Sequence, residues 1–300
     1  MIKVDDNNLH EVGLGRIAEN VVIFSNFTSF FEGDVTSECY TIRIVINGEE
    51  KYQINNQYFN LKANEFVITN PSDQVRISFS GNPSYKVSGL CIYITSETIL
   101  DVYSSLIDRD IFEISNVVKT PPKFLNNIYK TKTTKLGLYL NDIINNIRAR
   151  GFDSQLSKDI IFTDLSSCLF NHGRFEKEKL NQLDNLKYQT RIEVFKRINL
   201  MHEYINDNYK SKISLNQLAQ IACISKFHAS RLYKKIHKVS PYDSVIKLRL
   251  KEGKRLLKEG KTVKNVSENL GFTDRKAFTK LFKKEYGLSP SEMKNNLRKS

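Results

Sequence analysis

The spacing of apolar residues changes character along this chain, and each change marks a different kind of element. Between Glu38 and Ile94 apolar and polar residues alternate in short runs: ECYTIRIVING, KYQIN, QYFNL, EFVITNP, VRISFS and YKVSGLCIYI. A period of two predicts strands, and many short strands punctuated by Gly, Asn and Pro predict a β-barrel or sandwich. In the first run Tyr40, Ile42, Ile44 and Ile46 share one face, and Thr41, Arg43 and Val45 share the other. Asn47-Gly48 then reads as a tight turn.

After Pro121-Pro122 the period becomes helical. Leu136, Leu140, Ile143, Ile144 and Ile147 form one stripe, Gly151 interrupts, and Ile160, Ile161, Leu165, Cys168 and Leu169 form another. Two such helices can pack onto the β unit or pair with a second copy of the chain, and the spacing leaves both open. The polar stretch NHGRFEKEKLNQLDNL reads as a linker over 171–187, with Thr190 as cap of the next helix. The expected organisation is a sensing or dimerisation domain over 1–170, this linker, and a third segment over 188–300.

That third segment reads as all helix. Leu215, Leu218, Ala219 and Ala222 fall on one face behind Ser214 as N-cap. Ser225 can cap a second helix, Lys226–Ile236, striped by Ala229, Leu232, Tyr233 and Ile236. A short helix, a tight turn and a second helix make a helix-turn-helix. The plan is then repeated. Val263, Val266 and Leu270 lead to Gly271 at the turn, Thr273 or Asp274 can cap, and Phe278, Leu281 and Phe282 line a second helix over Asp274–Lys284. Matching residues lie 48 apart before the turn and 49 apart after it, so the second turn is one residue longer. Each unit ends in Ser-Pro, Ser240-Pro241 and Ser289-Pro290, a cap followed by a residue suited to the first helical turn. Between the units, Val245, Ile246, Leu248, Arg249, Gly253, Leu256 and Leu257 fit one linker helix that Gly260 ends. The fold class is therefore α+β: a β-barrel with flanking helices, then an all-α domain of two helix-turn-helix units.

Charge sharpens this division. From Tyr188 onward there are 26 Lys and Arg against 10 Asp and Glu, a net charge of +16, while the preceding residues carry 20 against 23, a net −3. A basic half beside a near-neutral half points to a polyanion partner for one and sensing or assembly for the other. Two recognition helices held about 34 Å apart can enter successive turns of the major groove on one face of double-stranded DNA. Base contacts are expected from Phe227, His228, Ser230 and Arg231 in the first unit, and from Arg275, Lys276, Thr279 and Lys280 in the second. Lys234, Lys235, Lys283 and Lys284 are expected on phosphates.

On the text SLNQLAQIACISKFHASRLYKK, SP, KLRLKEGKRLL and VKNVSENLGFTDRKAFTKLFKKEYGLSP, residues from about Arg191 to Asn295 resemble the DNA-binding domain of the AraC/XylS family of bacterial transcription regulators. The resemblance implies a promoter-binding regulator, usually an activator that contacts RNA polymerase. It also implies that the N-terminal part is a cupin-like β-barrel and that the helices after it often dimerise. Cys223 and Lys238 stand where the family commonly has Gly, and Ala229 where it commonly has Leu.

The remaining chemistry narrows the N-terminal half. His10 is the one histidine before Asn171, so no metal and no cofactor are expected. A small-molecule effector remains open, with Arg43, Tyr52, Tyr58, Arg76 and Tyr93 as candidate lining residues, although ordinary cross-strand aromatic pairs and exposed charge are the favoured explanation of them. The scattered cysteines Cys39, Cys91, Cys168 and Cys223 read as small buried hydrophobes. The alternatives are a regulator whose N-terminal half only oligomerises and an enzyme delivered to DNA by the basic domain; against the latter, Cys39 and Cys91 lie in strands without a neighbouring His, so no catalytic residue is expected. No apolar run approaches the roughly 20 residues of a membrane span, and the N-terminus lacks a signal-peptide layout, so a cytoplasmic location is expected.

Overall fold

The computed structural model describes residues 2–5, 16–17, 19–82, 84–106, 122–150, 158–183 and 185–299. His10, Pro121 and Gly151 lie outside the described residues. The chain divides into two compact units, Met1–Lys177 and Glu178–Ser300.

The first unit holds eleven strands among the described residues: β1 (Ile2–Asp5), β2 (Arg16–Ile17), β3 (Val21–Phe27), β4 (Phe30–Ser37), β5 (Tyr40–Asn47), β6 (Glu49–Ile54), β7 (Gln57–Lys62), β8 (Glu65–Thr69), β9 (Val75–Ser80), β10 (Val87–Ile94) and β11 (Ile128–Lys130). Three helices accompany them: α1 (Ser96–Leu106), α2 (Lys135–Arg150) and α3 (Lys158–Asn181). One sheet has the order β1-β3-β10-β5-β8-β11, and the other β2-β4-β9-β6-β7. Neighbours are antiparallel except β1 with β3 and β2 with β4. The expected β unit is present as two facing sheets whose ladders do not close into one barrel.

The turn at Asn47-Gly48 explains the layout. Gly48 has φ +84°, and the chain passes there from β5 in one sheet to β6 in the other. Sandwiched between the sheets are Ile23, Phe27, Val45, Tyr52, Ile54, Leu61, Ile77 and Phe79. The opposite face of the six-stranded sheet, with Ile42, Ile44, Phe66, Leu90 and Ile92, packs on Ile99 of α1, on Leu136, Leu140, Ile143 and Ile144 of α2, and on Ile161, Leu165 and Leu169 of α3. So both faces of β5 are buried from Tyr40 to Val45. Of the two open roles for the helices, packing onto the sheet is the one present in the chain. Ile160 lies off the stripe that the sequence suggests and is 60% exposed.

Between the sheets sits one buried ion pair. Arg43 Nε donates to Glu50 Oε2 at 2.8 Å, its Nη2 reaches Glu50 Oε1 and donates to Ser25 Oγ at 2.9 Å, and the Tyr52 hydroxyl donates to Glu50 Oε2 at 2.7 Å. A buried charge is tolerated when it is paired and hydrogen-bonded.

The second unit is helical: α4 (Tyr188–Asn208), α5 (Leu215–Ile221), α6 (Lys226–His237), α7 (Pro241–Lys258), α8 (Val263–Asn269), α9 (Arg275–Tyr286) and α10 (Pro290–Lys299). Two boundary expectations are corrected. Helix α4 starts at Tyr188 with Lys187 at its N-cap, so Thr190 lies inside the first turn and is not the cap. The stretch taken as a linker is helical to Asn181, and Leu180 and Leu183 are buried, because the two leucines give even this polar stretch an apolar contact.

Glu50→Ala strands Arg43 charged inside the sandwich and is expected to lower stability by about 3–5 kcal/mol. Asp34→Ala, which removes the exposed partner of Arg76, is expected to leave the urea midpoint unchanged. Urea unfolding of both variants beside the parent checks the contrast.

Candidate nucleic-acid interface and inter-sheet cavity

Each helix-turn-helix is assembled from local signals. Ser214 Oγ accepts from the Gln217 N–H at 3.2 Å and opens α5, whose Leu218 and Ala219 are buried. In the second unit Thr262 Oγ1 accepts from Asn265 N–H at 3.2 Å and opens α8, with Val266 buried. Asp274 Oδ1 accepts from the Ala277 N–H at 2.7 Å and opens α9; Ser225 occupies the matching place before α6 without a side-chain cap bond. The helix ends reproduce the expected offset. Helices α5 and α8 start 48 residues apart and α6 and α9 start 49 apart, so the extra residue lies in the second turn.

Helices α6 and α9 are two-faced. Ala229, Leu232, Tyr233 and Ile236 bury one side of α6, and Phe278 and Phe282 one side of α9. The other sides carry the residues expected to read DNA. Phe227, His228, Arg231, Lys234 and Lys235 are exposed on α6, and Arg275, Lys276, Lys280, Lys283 and Lys284 on α9; Ser230 and Thr279 are half-buried. Among the described residues Arg231, Arg275, Lys276 and Lys280 take no hydrogen bond or ion pair within the protein. Phe227 is 77% exposed, and the Lys226 ammonium lies 5.0 Å from its ring centroid.

The turns are strained in one unit and relaxed in the other. Cys223 has φ +51° in the first turn and Lys238 φ +63° after α6. Gly271 and Gly287 hold the equivalent positions around α9 at φ +69° and +75°. Cys223 is also exposed and Cys168 half-buried, which corrects the expectation of four buried thiols; Cys39 and Cys91 are buried as expected.

Behind α6 lies a cluster that spacing alone did not reveal. The Tyr233 hydroxyl donates to Ser244 Oγ at 3.0 Å and meets His202 Nδ1 at 2.8 Å. The rings of His202 and His237 stack 4.3 Å apart, and Lys179 donates to the Ile236 carbonyl. Burial, with the charge of Lys179 behind it, presses His202 down to about 4. Burial, His202 and Lys179 together press His237 down to about 3. The signal in the sequence was Lys179 beside Leu180, inside a stretch whose polarity hid it.

Between the two sheets of the first unit is a cavity of about 50 Å³. Arg43, Tyr52 and Tyr93 line it, with Ser25, Thr41 and Asp73 among their neighbours. Tyr58 and Arg76 do not. Tyr58 is 80% exposed on β7, and Arg76 lies on the outer face, where its Nε donates to Asp34 Oδ1 at 2.7 Å. Their side chains point away from the inter-sheet core because neighbouring positions on a strand alternate faces. Ser25, Thr41 and Asp73 were missed because small polar residues in strands carry no distinguishing pattern.

Residues 218–296 match the family described as helix-turn-helix domain. That matched segment is an AraC-type helix-turn-helix domain. Proteins similar to this chain include the lactose operon transcription activator of Staphylococcus xylosus, 22% identical over 98% of this chain and 94% of that protein. The MmsAB operon regulatory protein of Pseudomonas aeruginosa is 30% identical over 33% of this chain and 32% of its own length. The Msm operon regulatory protein of Streptococcus mutans is 26% identical over 34% of this chain and 37% of its own. The chain thus spans about a third of the length of the last two relatives. Among solved structures, a probable AraC family transcriptional regulator from Rhodopseudomonas palustris is 23% identical, covering 34% of this chain and 96% of that chain with a TM-score of 0.32. No described helix is long and apolar enough to cross a membrane.

Two outcomes are expected for the helical unit. Below pH 6.5, the ordinary histidine value, unfolded chains bind protons that folded His202 and His237 refuse, so their contribution to stability is complete above pH 6.5 and declines as pH falls toward about 4 and about 3. Urea midpoints measured from pH 7.5 down to 5 should fall, and His237→Gln should flatten the slope. Separately, Cys223→Gly relieves a left-handed backbone that costs about 1–2 kcal/mol and gives back some in chain entropy, a net gain of about 0.5–1 kcal/mol in the same unfolding assay.

Proposed function

We propose that the protein is a sequence-specific transcription activator that binds double-stranded DNA through α6 and α9 and is controlled through its N-terminal unit. The observation that carries this is the repeated two-faced helix: equivalent positions 231 and 280 hold Arg and Lys, both exposed and both without a partner among the described residues. Arg and Lys on the outward face of a recognition helix can reach guanine O6 and N7, and Ser230 and Thr279 can bond either kind of base edge. Phe227, His228, Arg275 and Lys276 lie near the starts of the two helices, where a recognition helix meets bases. Lys234, Lys235, Lys283 and Lys284, in the later turns, are assigned to phosphates.

The N-terminal unit is assigned the sensing role. A small-molecule effector would enter the cavity beside Arg43, Tyr52 and Tyr93 and favour the arrangement in which both recognition helices reach DNA. The finer assignments are contact with RNA polymerase, a homodimer, a cytoplasmic location and the domain roles over 1–170 and 188–300. Similarity along almost the whole chain to an operon activator supports activation over repression. The enzyme alternative is disfavoured by its candidate nucleophiles: Cys39 and Cys91 are buried, and burial raises both thiols above their ordinary range.

The test is a footprint on sheared genomic DNA at near-physiological salt, then titration of a protected duplex with variants. Arg231→Ala and Lys280→Ala are each expected to weaken the specific site by about 1–3 kcal/mol and random DNA little. Lys283→Ala is expected to weaken both alike and to shallow the salt dependence. Equal losses on specific and random DNA for Arg231→Ala would move that residue to the phosphate class.

A further inference from the structure

The linker helix α7 carries one buried arginine whose hydrogen-bond partners all belong to the main chain, with its guanidinium 5.6 Å from the Phe272 ring centroid. Arg249 is 8% exposed. Its Nε donates to the Tyr209 carbonyl at 2.6 Å, its Nη2 to the Ser211 carbonyl at 2.8 Å, and its Nη1 to the Gly271 carbonyl. Tyr209 and Ser211 lie just before Ser214, the cap that opens the first helix-turn-helix. Gly271 is the turn residue of the second. One guanidinium therefore bolts the entrance of the first unit to the turn of the second.

A second observation marks the same junction. A Cβ added to Gly271 would lie 2.3 Å from the Lys210 carbonyl oxygen and 3.1 Å from Arg249 Nη2. The two segments touch, main chain to main chain, with no room for a side chain. Gly271 thus serves two needs at once, the left-handed turn and the close approach. A guanidinium is planar with its donors in a fixed fork, so three bonds to carbonyls from two segments fix relative orientation as well as distance. Surface pairs such as Arg255 with Glu252 lie within one helix and cannot do this.

We propose that Arg249 is a positioning residue that sets the separation and rotational phase at which α6 and α9 meet DNA. The proposal rests on the regulator reading above. A base pair inserted between the two contacted elements displaces one from the other by about a tenth of a turn along and around the helix axis. A rigidly joined pair cannot follow that shift, so one module loses its site and the gain from joint engagement goes with it.

The experiment uses the full chain and the wild-type protein's own footprinted duplex, beside the same duplex with one base pair inserted between the two protected elements. Wild type is expected to lose about ten-fold or more in affinity on the inserted duplex. Arg249→Lys keeps the charge but not the fork. It is expected to bind the original duplex several-fold more weakly and to discriminate between the two by less than about three-fold, because a loosened pair is less preorganised yet more tolerant. Gly271→Ala opens the same junction without touching a charge and is expected to compress the ratio in the same way. Thermal melts by circular dichroism identify which variants are folded at the binding temperature. An unchanged ratio in a folded variant, even with weaker binding to both duplexes, would reduce Arg249 to a residue of general stability and overturn the proposal; so would failure of both variants to fold. Diffuse wild-type binding on every DNA would instead overturn the regulator reading, and this proposal with it.

Discussion

A guanidinium removed from water must be given acceptors, and among the described residues Arg43 and Arg249 meet that requirement in different ways. In the β unit Arg43 finds a carboxylate, Glu50, with Ser25 completing the set. In the helical unit Arg249 finds main-chain carbonyls from two separate segments. The first solution neutralises charge within a core. The second leaves the charge formally unpaired and converts it into geometry, because carbonyls belong to the backbone and cannot rotate away as carboxylates can. The arrangement of the two recognition helices depends on that second solution.

The strong positive charge of the C-terminal half separates on the same principle. Some cations are engaged inside the unit: Arg255 with Glu252 and Glu259, Arg197 with Glu193 and the Cys223 carbonyl, Lys294 with the carbonyls of Gly260 and Lys261. Others, Arg231 on α6 and Arg275, Lys276 and Lys280 on α9, stand exposed with nothing engaged among the described residues. Net charge alone does not distinguish these groups. The difference matters because engaged cations shape the scaffold, whereas the free ones retain their full capacity to bond phosphates and base edges.

How much of this was legible in the sequence follows from how local each signal is. The helix-turn-helix units were legible because caps and stripes act within a few residues: Ser214 and Asp274 sit at the caps, and Ala229, Leu232, Tyr233 and Ile236 are buried together. The β unit was legible as strands of a barrel or sandwich with helices able to pack onto it, but the choice among those arrangements was not, since alternation says which residues share a face and not what covers it. Arg43 and Arg76 show the limit. Both are arginines in alternating strands, yet one is buried against Glu50 and the other exposed against Asp34. Their fates were decided by which sheet faced which, a long-range fact. Glu178 to Leu183 failed for the opposite reason: abundant charge outweighed two leucines, and the leucines decided the packing.

The two copies of the DNA-binding plan are alike in geometry and unlike in how comfortably they hold it. Lys238 N–H bonds the Lys234 carbonyl at 2.9 Å, and Gly287 N–H bonds the Lys283 carbonyl at 2.9 Å. The same closing bond forms in both, so the backbone must turn left-handed in both, whatever residue is present. Glycine accepts that turn freely, whereas lysine and cysteine pay about 1–2 kcal/mol each. Helix α6 is thus bracketed by two strained residues, Cys223 and Lys238, and α9 by two glycines. Hydrogen bonding has overridden residue preference at both ends of the first recognition helix, and its cost is concentrated there. Strain held on either side of one element lowers the free energy needed to open it locally, relative to its twin. The first unit is therefore the softer of the pair, and the bolt at Arg249 ties it to the firmer one.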